Sequence, residues 1–284
     1  MDRTAFLVPA LYVWLRQHMP VWIRRTLRAI GLTSLLQRWY PQNSLRYAWP
    51  LHGALEGHRM HFGRPEELQY QECQYEVDVC AVVDRLVLPG WVCVDVGAHI
   101  GYMTLLMAKL VGAKGRIYAF EAAPENALLL EDNVRLNGYQ ERVIVENKAV
   151  AGESQEQITL YVGPSSFEAT VISRGWQAMD RVPAVALDCY FAPDARVDLV
   201  KMDIEGGEVQ AIAGMRRLMT QTRPLVLLEI HDMGWPAVEA LLAANYTLCD
   251  LTFHLVDVQA SRGQLRHCVA IPNEKRSSIH LSPR

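Results

Sequence analysis

Two passages of this chain combine residue types that do chemistry with a spacing that brings them to one place. The first is Val92-Cys93-Val94-Asp95-Val96-Gly97-Ala98-His99-Ile100-Gly101-Tyr102, an apolar run closed by an acid and a pair of glycines. A second acid, Glu121, ends the next apolar run, roughly twenty residues past Gly101. In an open α/β sheet, strand, glycine turn and helix frame a nucleotide-type pocket. The glycines let the chain turn tightly and let a ligand lie against the backbone, and the later acid accepts from ribose hydroxyls. The second passage is Asp198-Leu199-Val200-Lys201-Met202-Asp203-Ile204-Glu205-Gly206-Gly207-Glu208, followed downstream by Leu228-Glu229-Ile230-His231. Period-two alternation puts Lys201 and Asp203 on one face of an otherwise apolar strand. Charges there are costly unless they pair with each other or with a ligand.

The first turn narrows the cofactor. A dinucleotide fold uses G-x-G-x-x-G, whose middle glycine admits a pyrophosphate at the helix N-terminus. His99 stands at that place, and no G-x-x-x-x-G-K-[ST] loop occurs. What remains is a D-x-G-x-x-x-G turn with a ribose acid, a site for an adenosine without phosphates. S-adenosylmethionine fits, with Asp95 near its charged amino-acid end. The expected cofactor contacts are Asp95, Gly97, Ala98, His99, Gly101, Tyr102, Glu121, Ala122 and Asn126. For His99, capping the turn is favoured over lining the site. The competing explanation is an ordinary tight turn with two surface acids, which the agreement of strand, glycines, helix and Glu121 disfavours.

Asp203, Glu205, Glu229 and His231 are expected at one sheet edge, the carboxyl end where open α/β sheets place ligands. Methyl transfer to a hydroxyl needs an aligned nucleophile and a group that removes its proton. Asp203 is the first candidate base, with Glu205 or His231 next, and Lys201 is expected to keep Asp203 ionised. For Glu208 and Glu229 the alternative is a salt-bridge network that shapes the turn. Such acids suit magnesium, but nothing in the spacing demands a metal and none is expected.

These residues need a sheet to hold them. Residues 91–272 alternate strand and helix: strands 91–96, 116–120, 142–147, 197–203 and 224–230, with helices 101–111, 124–137, 207–217 and 235–244. Runs 156–163 and 182–187 read as further strands around a polar loop. Runs 246–256 and 266–271 have no helix between them and read as an antiparallel pair. The fold class is therefore α/β, a Rossmann-like methyltransferase sheet of seven mostly parallel strands ending in an antiparallel hairpin. Ahead of it, residues 51–90 read as a short hairpin with Gly57 in its turn and a helix from about Glu76 to Leu88. The tail 273–284 is polar and expected to be loose.

Residues 1–50 stand apart. They carry seven arginines against one acid, a net +6 that leaves −9 for the remainder, and four of the seven tryptophans. They read as a basic helical extension broken at Pro20, which packs on protein or rests on an anionic membrane surface. The apolar stretch Ala5–Leu15 is too short to span a bilayer, and no small-residue cleavage site follows it. Six cysteines form no C-x-x-C pair and no zinc spacing, as in a reduced, cytoplasmic protein, with the membrane's inner face as the alternative place. The charge of −9 disfavours nucleic acid as a partner. Oligomeric state stays open.

The segments VDVGAHIGYMT, YAFEAAPEN, LNG, NKAV, VDLVKMDIEGGEVQAIAGM and VLLEIH, in this order, resemble the FkbM-type S-adenosylmethionine-dependent methyltransferases. The resemblance covers roughly residues 70 to 271. It implies a Rossmann-like fold and O-methylation of a sugar or related hydroxyl, as in polysaccharide, glycan or natural-product biosynthesis. It places Asp95, Gly97, Gly101 and Glu121 on cofactor positions, and Lys201, Asp203, Glu205, Gly206 and Glu208 on the signature turn. His99 departs from it, since asparagine is usual there. An amino acceptor is disfavoured, because Asp203-Ile204-Glu205-Gly206 replaces the N/D-P-P-[YF] turn that cradles planar amides. A different class of function also remains: a non-catalytic protein of the same fold serving as a membrane-associated assembly partner through residues 1–50.

Overall fold

A computed structural model describes residues 48–71, 75–163, 169–173, 175–231 and 234–278. The basic extension lies outside the described residues up to position 47. The chain divides into two compact units, one ending at Tyr75 and one beginning at Glu76.

In the first unit β1 (Trp49–Pro50) pairs antiparallel with β2 (Arg59–Met60). Gly57, at φ +87°, lies in the turn between them. The second strand falls where the hairpin was expected, and the first begins just ahead of it. Trp49, Leu51, Leu55, Met60, Phe62 and Tyr70 are buried, and Trp49 stacks on Phe62 with ring centroids 6.3 Å apart.

The second unit opens with α1 (Val77–Leu86), β3 (Val92–Val96), α2 (Tyr102–Val111), β4 (Arg116–Phe120), α3 (Pro124–Leu136) and β5 (Val143–Glu146). Pro124 in the first turn of α3 and Gly138 just past its end, at φ +71°, are the punctuation expected of a helix. Next, β6 (Ala149–Val150), β7 (Gln155–Val162), β8 (Ala169–Thr170) and β9 (Gln177–Val185) form a separate four-stranded sheet in the order β6-β9-β7-β8. The chain returns through α4 (Leu187–Tyr190), β10 (Leu199–Met202), α5 (Glu208–Ala213), α6 (Arg216–Gln221), β11 (Leu225–Glu229), α7 (Trp235–Ala243), β12 (Tyr246–Cys249) and β13 (His267–Pro272).

The main sheet has seven strands among the described residues, in the order β12-β13-β11-β10-β3-β4-β5. Only β13 runs antiparallel to its neighbours, as the two terminal runs without a helix required. From β3 the chain first builds outward through β4 and β5, then returns to build outward from β10 on the other side. The strand order therefore reverses between β3 and β10, and the crevice at their carboxyl ends is where such sheets bind ligands. Register puts Asp95 beside Lys201 and Val96 beside Met202 across that junction. Core residues Val94, Val96, Val200, Met202, Val226 and Leu228 fill one face of the sheet without solvent contact.

Three expectations are corrected. Helix 207–217 is two short helices that meet at Gly214, where a Cβ would collide with the carbonyl oxygen of Ala151. The run 246–256 stops being a strand at Cys249. There the Asp250 carboxylate accepts from the backbone N–H groups of Thr252 and His254 and closes a turn. The start of the tail is not loose: Asn273–Ser278 is a 3₁₀ turn, and the Arg223 guanidinium grips both Glu274 oxygens at 2.8 and 3.0 Å. Among the described residues no helix is long and apolar enough to cross a membrane.

The glycine turn is tight for a reason internal to the chain. Gly97 sits at φ +81°, and a Cβ there would overlap the backbone carbonyl oxygen of Asp203. Gly101, at φ +100°, gives the same relief to the Leu130 side chain. Gly97→Ala combines a left-handed backbone with a collision, and should destabilise the fold by about 3 kcal/mol. For a domain of this size, that corresponds to a fall of roughly 6–12 °C in Tm. A melting curve unchanged from the parent would show that the two turns do not meet as described.

Candidate active site

The β3–β10 junction determines what the first group of residues can do. Asp95 is fully buried; its Oδ2 accepts from the Thr104 hydroxyl at 2.6 Å, while Oδ1 lies 3.9 Å from Lys201 Nζ and has no hydrogen-bond partner. Burial pushes its pKa up, against the pull of Lys201 and Thr104. Past the strand, the N–H groups of Gly97 and Ala98 donate to Phe120 O, tying the turn to the end of β4. His99, itself at φ +50°, donates its backbone N–H to Glu121 Oε2 at 2.8 Å, so the turn is capped through the main chain.

Glu121 is the next fixed point. Its Oε1 accepts from Ala123 N–H at 2.9 Å, and the Asn126 side chain also bonds the carboxylate. Burial raises its pKa in opposition to these bonds. A carboxylate has about four acceptor positions, so capacity for a further hydroxyl remains. Ala98, Tyr102 and Asn126 are buried around this corner, and Ala122 packs against the small core under the second sheet. The donor set fits S-adenosylmethionine: Glu121 would offer acceptor chemistry for ribose hydroxyls, and the carboxylates at the end of β10 would offer counter-charge to its sulfonium. Glu121→Ala removes that acceptor and leaves two backbone donors unpaired. It should weaken S-adenosylmethionine binding by about 1–3 kcal/mol. Calorimetric titration of both proteins checks this, and equal affinities would remove Glu121 from the cofactor site.

Across the junction, the turn after β10 gathers the second group. Lys201 is buried, with Nζ 3.4 Å from Asp203 Oδ2. Burial opposes its charge, but Asp203 and Asp95 outweigh it and hold the ammonium above its ordinary pKa. Burial likewise works against the Asp203 carboxylate, and Lys201 and His231 overcome it, leaving Asp203 below the usual carboxylate range. Glu205 and Gly206 take left-handed backbone, at φ +52° and +96°, which turns the chain back into α5. His231 follows β11 and sits among four carboxylates. Nδ1 is 2.8 Å from Glu208 Oε1; Nε2 is 3.4 Å from Glu205, 3.6 Å from Glu229 and 4.0 Å from Asp203. Burial disfavours the charged ring, yet Glu205 and Glu208 raise its pKa to about 10.

The sequence reading did not single out Glu76, His267, Thr104, Asn133 or Asn147. Glu76 precedes α1, and burial raises its pKa to about 7 against the pull of Lys201. His267 on β13 pairs in register with Glu229, its Nε2 3.3 Å from Oε2. Asn147 Nδ2 donates to the carbonyls of Glu121 and Ala122 and pins the ribose-acid turn. Asn133 Nδ2 does the same for Ile100 O in the glycine turn. Two sets, Glu76/Glu229/His267 and Asp203/Glu205/His231, bring ligand atoms within 4.8 Å of one another. Against the effect of burial, the neighbouring carboxylates raise the pKa of both rings.

Such a sheet, with its order reversing over a glycine turn, a buried acid after β4 and an acidic β10 turn, has the architecture of a class I methyltransferase. The family described as Methyltransferase FkbM domain matches residues 95–257, more than half of the chain. The chain belongs to this family of S-adenosylmethionine-dependent methyltransferases. A protein-L-isoaspartate O-methyltransferase of Aeropyrum pernix is 44% identical over 52 residues, 18% of this chain and 20% of that protein. A solved FkbM methyltransferase from Methylobacillus flagellatus KT is 18% identical, with a TM-score of 0.47, over 65% of this chain and 44% of that one. A solved S-adenosylmethionine-dependent O-methyltransferase of Thermotoga maritima is 13% identical, with a TM-score of 0.41, over 69% of this chain and 65% of that one. This chain thus spans about a fifth of the first relative and under half of the second.

Proposed function

We propose that this methyltransferase acts on a hydroxyl group of a sugar, glycan or related small molecule, with Asp203 as the proton acceptor. The observation that supports this best is an ionised carboxylate at the carboxyl end of β10, held between Lys201 and His231 beside the strand-order reversal. S-adenosylmethionine supplies the activated methyl group. The protein's share is to align the hydroxyl oxygen and take its proton.

The low pKa of Asp203 suits this task better than it first suggests. A hydroxyl oxygen that is gaining a third bond takes on oxonium character and becomes strongly acidic, so a weak carboxylate base suffices once carbon–oxygen bonding is advanced. His231 is less suited to be the base, because its two nitrogens face Glu208 and Glu205 and it keeps its proton at neutral pH. Lys201 touches both Asp95 and Asp203, and its part is to keep Asp203 ionised. Glu205, 3.4 Å from His231 Nε2, is the second carboxylate within reach of an acceptor.

A panel of neutral, amino and phosphorylated sugars incubated with methyl-labelled S-adenosylmethionine tests the proposal. Label on a sugar oxygen, with release of S-adenosylhomocysteine, is the expected result. Label on nitrogen or carbon alone would overturn the hydroxyl reading, and no binding heat for S-adenosylmethionine with folded protein would overturn the cofactor assignment.

A further inference from the structure

Glu208 has no solvent exposure and lies in the first turn of α5, yet neither cofactor nor acceptor chemistry accounts for it. A buried carboxylate must be matched by partners, or it costs several kcal/mol of folding energy. Its Oε1 accepts from Gly206 N–H at 3.0 Å and from His231 Nδ1–H at 2.8 Å. Oε2 is buried without a hydrogen-bond partner. One carboxylate oxygen thus clamps the signature turn and the imidazole together. With Nδ1 engaged inside the protein, the ring can only present Nε2 to the cleft, where Glu205, Glu229 and Asp203 lie 3.4, 3.6 and 4.0 Å away.

We propose that Glu208 is a positioning residue, which fixes His231 by its buried bond to Nδ1 and so keeps a cation against Asp203 and Glu205. This rests on the reading of Asp203 as proton acceptor. Two carboxylates facing one cleft repel each other, and one of them would take up a proton without a counter-charge. His231 supplies that charge from β11, Lys201 supplies another from β10, and His267 on β13 balances Glu229 together with the neighbouring Glu76. A purely structural Glu208 would serve only to hold Gly206 N–H.

The test is a nitrogen-detected NMR titration of His231 in the full chain, parent and Glu208→Gln. Glutamine keeps an oxygen for both bonds, removes the charge and puts an amide NH2 at the buried Oε2 position, which is why the aspartate variant and the parent titration stand beside it. In the parent, His231 should carry protons on both nitrogens at pH 8 and lose one near pH 10. In Glu208→Gln its midpoint should fall by at least one unit, and Glu208→Asp should recover part of the shift. A parent His231 that is neutral at pH 8 overturns the proposal whether or not the variants fold. A folded Glu208→Gln with an unchanged midpoint overturns it as well.

The catalytic consequence is read separately, on the hydroxyl acceptor found by the labelled screen. Glu208→Gln should lower kcat about tenfold with KM for S-adenosylmethionine unchanged, and add an inflection between about pH 6 and pH 9 to the rate profile. An unaltered kcat and profile overturn the positioning role. If the screen yields no hydroxyl acceptor, the reading of Asp203 falls while the titration still decides whether Glu208 holds His231 charged.

Discussion

Replacing Lys201 with methionine should destabilise the fold by about 3–5 kcal/mol, the cost of removing one partner from a buried ion pair. Methionine fills much of the same volume, so the loss is one of charge rather than packing. Asp95 would keep only the Thr104 hydroxyl on Oδ2, and its Oδ1 would face no cation at all. Asp203 would keep His231, at 4.0 Å, and the more distant His267 as positive neighbours.

The sign of the pH dependence follows from Asp95. Burial already lifts its folded pKa above the unfolded value, and losing Lys201 lifts it further. A carboxyl group that binds its proton more tightly when folded loses stability as pH rises from the unfolded toward the folded pKa. The Lys201→Met deficit should therefore be larger near pH 8 than near pH 5. Urea unfolding of parent and variant at both pH values measures it. Equal deficits would mean that Asp95 and Asp203 are neutralised by something other than Lys201.

The Lys201–Asp203 half of this network was legible in the sequence, through periodicity, whereas the approach of Lys201 to Asp95 depends on the pairing of β3 with β10. Lys201 and Asp203 stand out because two charges alternate within an apolar strand, and Glu121 stands out because it ends the next strand at the distance a ribose acid needs. The glycines at 97 and 101 were legible as a tight turn, but not for the right contact. The space they leave is filled by Asp203's carbonyl and by Leu130, across distances in sequence that no local pattern encodes. The second sheet was legible only in part: runs 156–163 and 182–187 read as strands, but the first half of β9 did not. Residues Gln177–Arg181 of β9 are all exposed, so half of that strand has no buried face to impose alternation. The break at Gly214 depends on Ala151, and the clamps from Asn133 and Asn147 depend on the packed turns they bind. His267 joins the site because β13 lies antiparallel to β11, opposite Glu229, and Glu76 reaches the same pair from the start of α1.

Asp203→Asn should lower kcat by roughly 10²–10⁴, the usual worth of a positioned base, and leave S-adenosylmethionine affinity within about twofold. Asparagine is the informative replacement because it keeps the shape and can turn its carbonyl oxygen toward Lys201 Nζ. Lys201 would still have Asp95 at 3.9 Å, so its charge remains matched and the fold is retained. The backbone carbonyl that sits against Gly97 is untouched. The pH profile separates proton removal from mere positioning. The parent should hold its rate below the ordinary carboxylate range, because Lys201 and His231 keep Asp203 ionised there. In the variant that acidic limb should vanish, since an amide does not titrate. A variant that turns over within about threefold of the parent would take Asp203 out of the chemistry. In that case Glu205 is the carboxylate to examine next, since it shares the same imidazole and is 20% exposed to the cleft.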